Sequence, residues 1–439
     1  MESAAVHFPH LGGFESTKIH GSGTDILETT GHLERWREDL DMLRAAGIDN
    51  LRYSAPWHRI ESSPGNFDFS WMDKPMAHMR EQGMKPVIDL VHHTSFPDWL
   101  ENGFASPELP ELLSRFAECF ASRYEWVDSY TVFNEPLATT LLCSFTGAWY
   151  PHHCTDRTFV RMGHNVARAI AAATSALRQI RPDFTYVYVD TCERHTALDA
   201  ESQAQADYAN HRRFWVLDLI QGGIAAGHPF VPYLTDNGIT LDDLLRFSDR
   251  PVRVDILGLD YYAHSEMEWC WNRYCSRAAI RLPHSCPVGF AHVAAEYRER
   301  YGLPLMLTET NLRGYVTDRI TWLRFMHEQC ESLVCAGADF RGFCWYPSID
   351  STDWGNLCTR PTKAVDPQGI WYLDDSRTTR HTSELSKWYS KLASGAATSR
   401  DLPAYNFRPP LDRQLSGYAK LMSHWNNWQL PKEARKGAS

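Results

Sequence analysis

An alternation constrains this chain more than any other feature of its sequence. Runs of four to six residues with strand-like composition recur eight times, at Leu11–Phe14, Asn50–Ser54, Pro86–Val91, Ser129–Phe133, Thr185–Asp190, Asp255–Asp260, Leu305–Thr308 and Gly342–Trp345. Between and after them lie stretches whose apolar residues return every three or four positions: Leu33–Ala46, Met72–Gln82, Pro110–Ser122, Phe159–Ile180, Ala206–Gly222, Val288–Arg300, Asp318–Ala336 and about His381–Leu392. Gly47, Gly83, Gly302 and Gly337 stand where four of these helices should end. Strands followed by covering helices require a parallel sheet with crossover connections, and eight such units predict an α/β fold, the (β/α)8 or TIM barrel. Residues 1–395 are expected to form this single domain. Residues 396–439 form a C-terminal extension in which Tyr405, Phe407, Trp425 and Trp428 alternate with Pro403, Pro409 and Pro410. That much aromatic surface predicts packing on the barrel or on a partner subunit.

Composition narrows the function. The chain has 439 residues, 44 basic against 54 acidic, and a net charge of −10, with no clustered basic face for phosphates. This excludes nucleic acid as the expected partner. No apolar run reaches the roughly 18 residues of a membrane span. The opening MESAAVHFPHLGGF has no basic start followed by an apolar stretch, so it does not read as a secretory signal. Eleven cysteines, with no C-x-x-C and with Cys270/Cys275 and Cys330/Cys335 each five apart, fit neither a zinc knuckle nor a dense disulfide framework. Reduced thiols in a cytoplasmic protein are expected. Oligomeric state is not readable.

In such a barrel the functional side chains sit where strands end and the following loops begin. The fourth strand ends in Thr131-Val132-Phe133-Asn134-Glu135-Pro136 and the seventh in Leu307-Thr308-Glu309-Thr310-Asn311. Two glutamates on opposite sides of the barrel mouth can face each other. Paired carboxylates are what glycoside hydrolysis needs, one to attack the anomeric carbon and one to protonate the departing oxygen.

These motifs resemble those of the family 1 glycoside hydrolases, retaining β-glycosidases on a TIM barrel, from about Phe8 to Leu392. Asn134–Pro136 is similar to the family's acid/base motif, and Thr308–Asn311 to its Thr-Glu-Asn-Gly nucleophile motif with one residue inserted. Phe133–Pro151, Asp255–Tyr262 and Gly369–Asp374 add matches in the same order. The resemblance implies Glu135 as general acid/base and Glu309 as nucleophile, supported by Arg52 and Tyr262. It also implies sugar contacts from His93, Asn134, Trp345 and Trp354, with carboxyl groups roughly 5–5.5 Å apart. It implies a glycoside substrate and no metal or organic cofactor.

The departures bear on which sugar is read. Lys18 stands where the family carries Gln, Asp353 where it carries Glu, Thr94 where it carries Trp, and Asp260 where it carries Asn. Because the family's Gln and Glu grip the far edge of the terminal sugar, Lys18 and Asp353 are expected to be neighbours. Lys18 then either neutralises Asp353 or Asp260, or faces a carboxylate or phosphate on the substrate together with Lys363 or Arg360. Three readings compete with retaining hydrolysis at this level. A metal-dependent hydrolase fails on spacing, since His92 and His93 are adjacent and no H-x-H follows the first strand. A non-catalytic carbohydrate-binding barrel usually lacks one carboxylate, and both are present. A transglycosidase would use the same residues and deliver the sugar to an alcohol.

Overall fold

The computed structural model describes residues 6–405 except 275 and 282–287. Eight parallel strands close into a barrel: β1 His10–Gly13, β2 Asn50–Ser54, β3 Lys85–Asp89, β4 Ser129–Thr131, β5 Thr185–Thr191, β6 Ile256–Asp260, β7 Leu305–Glu309 and β8 Phe340–Cys344. They follow one another round the barrel in chain order. β1 closes the ring, pairing His10 with Phe343 of β8 on one edge and Gly13 with Arg52 of β2 on the other. Every expected strand is present, and the differences lie at the ends.

Strand parity explains why these runs were apolar on both faces. Inside the barrel, Leu11, Val87, Val187, Val189, Met306 and Cys344 pack together with Tyr346. Residues of opposite parity, such as Ile88 beside Val87, face outward into the helical layer. That layer contains α1 His32–Ala45, α2 Asp73–Gln82, α3 Leu109–Arg123, α4 Asp156–Ile180, α5 Gln203–Arg212, α6 Trp215–Ile220, α7 Phe290–Tyr301, α8 Val316–Cys335 and α9 Glu384–Ala393. Thr155 and Thr158 cap α4 reciprocally, which fixes where the longest helix starts. Gly83 and Gly302 end their helices in the left-handed conformation, at φ 70 and 63.

One expected helix, Ala206–Gly222, is two. The break falls at Arg213, whose guanidinium reaches back to the Glu193 carbonyl and to Glu296 and lies over the rings of Phe214 and Tyr297. Tertiary contacts override the periodicity there. After α9 the chain up to Leu402 docks on α8: Ser399 Oγ donates to Glu331 at 2.8 Å, and Leu402 is buried with its carbonyl accepting from Arg324. Phe407, Pro409, Pro410, Trp425 and Trp428 lie outside the described residues, as do Cys275 and Cys286. The nine described cysteines are free. No helix among the described residues is long and apolar enough to cross a membrane.

Candidate active site

Glu309 is the last residue of β7, buried at the floor of a cavity at the C-terminal mouth of the barrel. Both of its oxygens are held. Arg52 of β2 donates through Nη1 to Oε1 at 2.5 Å, and Tyr262, just past β6, donates through its hydroxyl to Oε2 at 2.6 Å. The other arm of the Arg52 guanidinium donates to Asn134 Oδ1 at 2.7 Å and lies 3.3 Å from Asp89 Oδ2. A planar fork spanning three acceptors is a task for Arg and not for Lys. Asn134 is thereby oriented, and its amide Nδ2 has no hydrogen-bond partner among the described residues.

Glu135 enters from the opposite side, two residues after Phe133. Its backbone is left-handed at φ 46, between the ladder bond from its N–H to Val189 O and the helix Pro136–Ser144 that begins immediately after it. A non-glycine residue held there carries backbone strain, a common feature of functional positions. Burial, and then the charges of Asp260 and Glu309, push its carboxyl well above the ordinary range. His93 Nε2 stands 3.7 Å away. That imidazole is kept neutral by burial and by the cation on neighbouring His92.

Asp260 completes a cluster that the motifs did not reveal. The register between β6 and β7 shifts so that Leu259 pairs with Leu307 but Asp260 pairs with Glu309. This irregularity, of the kind bulges use to re-aim side chains, brings a third acid inward. One carboxylate oxygen from each of Glu135, Asp260 and Glu309 lies within 4.8 Å of the others. Among the described residues these three also form the grouping close enough to surround a metal ion, and the Arg52 guanidinium already supplies positive charge there.

The cavity is walled by Trp149, Trp354, Tyr262 and Tyr346, with Leu141, Leu142 and Leu357, and carries Glu15, Glu193 and Arg313 among its polar lining. Here several expectations are corrected. Lys18 does not approach Asp353 or Asp260; it pairs with Asp98 at the surface, its carbonyl accepts from Thr94, and it does not line the cavity. Asp353 is buried but spent on its own loop, accepting from Thr362 and from Lys363 N at 2.9 Å while its backbone turns at φ 61. Arg360 and Lys363 are exposed and away from the lining. Trp345 is fully buried outside the cavity, its indole donating to Gln368 O at 2.9 Å. β8 ends one residue earlier than expected, and consecutive residues point to opposite sides, so Tyr346 faces the cavity instead. Trp354 and His93 do line it, their rings 5.6 Å apart.

At the far edge stands Glu15, two residues past β1. Its Oε1 accepts from Ser16 N and Thr17 N, each at 3.0 Å, and from Thr17 Oγ1 at 2.7 Å, and lies 3.2 Å from His92 Nε2. Burial alone would raise this carboxyl, but the hydrogen bond and charge of His92 hold it at about 2. Correspondingly, burial opposes the charge on His92, yet Asp89 and Glu15 lift it to about 10. Glu15, Tyr346 and Trp149 went unnoticed in the sequence. For Glu15 the sequence does carry a signal, an acid just past a strand end.

A family model described as Glycosyl hydrolase family 1 matches residues 13–263, more than half of the chain. Beta-glucosidase A of Thermotoga maritima is 21% identical over 82% of this chain and 86% of its own. The Agrobacterium beta-glucosidase is 23% identical over 83% and 84%. A rice protein named "Probable inactive beta-glucosidase 14" is 22% identical over 88% and 85%. Among solved structures, the Thermotoga maritima beta-glucosidase in complex with methoxycarbonyl-substituted glucoimidazole superposes with a TM-score of 0.76 at 18% identity, covering 90% of this chain and 99% of that one.

Proposed function

The chain belongs to glycosyl hydrolase family 1 and is a glycoside hydrolase, and from that premise we propose that it is a retaining β-glycosidase acting on a terminal β-linked sugar. The observation that carries the reading is the asymmetry of two close carboxylates. Glu309 accepts from Arg52 and Tyr262, bonds that favour the anion, while Glu135 lies desolvated against other acids and keeps its proton. Separations of roughly 5–5.5 Å go with retention, whereas inversion needs roughly 6.5–9.5 Å to admit a water; oxygens within 4.8 Å fit the former.

In the first step a Glu309 oxygen bonds to the anomeric carbon as the bond from that carbon to the leaving oxygen breaks, and Glu135 gives its proton to that oxygen. In the second, water attacks the same carbon, its proton passes to Glu135, and the ester bond breaks to restore the Glu309 carboxylate. The free amide of Asn134 suits the sugar 2-hydroxyl. Trp354, Trp149 and Tyr346 offer apolar faces to the ring, and His93 a neutral imidazole. Glu15, with one oxygen spent on the protein and its carboxyl held at about 2 by His92, suits hydroxyl donors at the far edge. We therefore assign a glycone neutral at that edge. The nine described cysteines, all free, are compatible with the cytoplasmic setting we propose.

The test is incubation with a panel of 2-deoxy-2-fluoro glycosides bearing good leaving groups, followed by intact mass and peptide mapping. A covalent adduct on Glu309 is expected, fastest with the true glycone. Turnover with no adduct on Glu309 would refute the assignment of the nucleophile; neither adduct nor turnover with any sugar would leave a carbohydrate-binding barrel.

A further inference from the structure

The two-step reaction uses two of the three clustered acids and leaves Asp260 without a task. Asp260 is fully buried. Its Oδ1 accepts from Thr308 Oγ1 at 2.6 Å, whereas Oδ2 is buried with no hydrogen-bond partner among the described residues, and one oxygen each of Asp260, Glu135 and Glu309 lies within 4.8 Å of the others. Its place is built: Gly258, two residues earlier on the same face, leaves the space in which Thr308 stands, since a Cβ there would lie 2.7 Å from the Thr308 methyl.

We infer that Asp260 is a positioning residue that shares one proton with Glu135, holding the acid protonated to higher pH in the free enzyme and making it a stronger base once the proton has left. The inference rests on Glu135 being the acid/base. Two carboxylates with oxygens within 4.8 Å of each other in a desolvated site cannot both ionise at small cost, so the pair retains a proton. The groups facing it decide where that proton sits. From β7 come Glu309 and Thr308, from β2 Arg52, from β3 Asp89, from β5 Asp190, and from the loops after β6 and β3 Tyr262 and His93. Burial and the charge of Glu309 push the Asp260 carboxyl up as well, but Arg52 and Thr308 oppose this at Asp260 and have no counterpart at Glu135, so of the two Glu135 is the one that holds the shared proton. Asp190 is itself raised by burial to about 7 and is tied to Leu137 N and Tyr188. His93, being neutral, offers no competing cation.

The charge count follows the chemistry. Before the first step Glu309 carries one negative charge and the proton-sharing pair one. After it, Glu309 is an uncharged ester and the pair, having given its proton to the leaving oxygen, carries two. The total does not change; the charge moves from the nucleophile to the pair, where mutual repulsion draws the proton from the incoming water.

The test is the pH dependence of kcat/KM for Asp260→Asn on aryl glycosides with poor leaving groups. Asn removes the like charge and can donate to Glu135, so the alkaline limb should move down by about one to two pH units. With a dinitrophenyl leaving group, which needs no proton, the glycosylation rates of the two proteins should converge at alkaline pH. An alkaline limb at the same pH in both proteins overturns the inference. Glu135→Gln separates the two readings: if that variant keeps the alkaline limb, it is the acid/base assignment that fails. Should Asp260→Asn not fold, infrared difference spectra at pH 9, above the Asp190 titration, provide the readout from the unmodified fold. A protonated-carboxyl band lost in Glu135→Gln supports the shared proton, and its absence from the unsubstituted enzyme refutes it.

Discussion

The two ends of the cavity are built differently. At the reaction centre, Arg52, Asp260 and Glu309 lie within the strands themselves, and Asn134 and Glu135 lie within four residues of one, still pinned by ladder bonds to Val91 and Val189. At the far edge Glu15, Trp149 and Trp354 come from loops. Barrel register therefore sets where the chemistry happens, and loop conformation sets what the site reads. The ends are nonetheless connected. Asp89 Oδ2 is 3.3 Å from Arg52 and 2.7 Å from His92 Nδ1, and His92 Nε2 is 3.2 Å from Glu15. A continuous row of alternating charges runs from Arg52, the partner of Glu309, through Asp89 and His92 to Glu15.

The hardest blow to that comparison is removal of Glu309, the proposed nucleophile. Glu309→Gly should lower turnover by roughly 10⁴-fold or more, as loss of a covalent catalyst does elsewhere. Added azide or formate should partly restore turnover of activated glycosides by occupying the vacated space. Measured rates that fall less than tenfold would place the chemistry elsewhere in the cavity.

The row of charges predicts a pH-linked stability. His92 is raised in the folded chain from 6.5 to about 10, so its contribution is complete below pH 6.5 and is lost as pH climbs through about 10. Glu15, lowered from 4.5 to about 2, contributes above pH 4.5 and loses its share as pH falls through about 2. The two shifts overlap in the His92–Glu15 pair, and Asp89 contributes the rest of the His92 shift, so they are not additive; together they amount to on the order of a few kcal/mol. Thermal unfolding of His92→Gln should show the largest deficit near pH 6, shrinking towards pH 10. A deficit that is flat with pH would mean that His92 is uncharged.

Glu15→Gln addresses the far edge alone. Hydrogen bonds to a charged acceptor contribute roughly 1.5–3 kcal/mol, so kcat/KM on the preferred neutral glycoside should fall about 10- to 100-fold. Deleting the hydroxyl that Glu15 holds should cost the unsubstituted enzyme but not the variant, and a uronide should gain relative to the neutral sugar. Equal losses on deoxy substrates in both proteins would remove Glu15 from sugar recognition.

This division also marks how far the sequence could be read. Glu135 and Glu309 were legible because each stands at or just past the end of an apolar strand run, and hydrogen-bonded ladders leave little freedom there. Trp345 was misplaced by a single residue, since β8 stops at Cys344 and parity then hands the cavity to Tyr346. Asp353 carries the right chemistry, but its loop folds back on it: short acids readily satisfy nearby backbone N–H groups, and here Thr362 and Lys363 supply them. Asp260 was visible as a departure, yet its inward aim depends on a register shift that no local pattern encodes.

Lys18 gives the smallest effect and the sharpest contrast with Glu15, its neighbour in sequence by three positions. Motif spacing alone places Lys18 over the sugar, but motif spacing does not count the turns of a loop. The ladder between Lys18 and Asp25 forms a short hairpin outside the barrel, and the ammonium turns to Asp98, whose side chain is 73% exposed. Lys18 itself is 11% exposed, but its partner stands largely in water, and a pair with one member so solvated contributes little. Lys18→Gln should therefore change kcat/KM by less than about twofold on neutral and anionic glycosides alike, because the substituted atom never meets the substrate. Competition between a glucoside and a glucuronide in one reaction measures this without error from enzyme concentration. A shift in their ratio beyond about twofold for Lys18→Gln, with none for Glu15→Gln, would reverse the assignment and return the far edge of the sugar to the lysine.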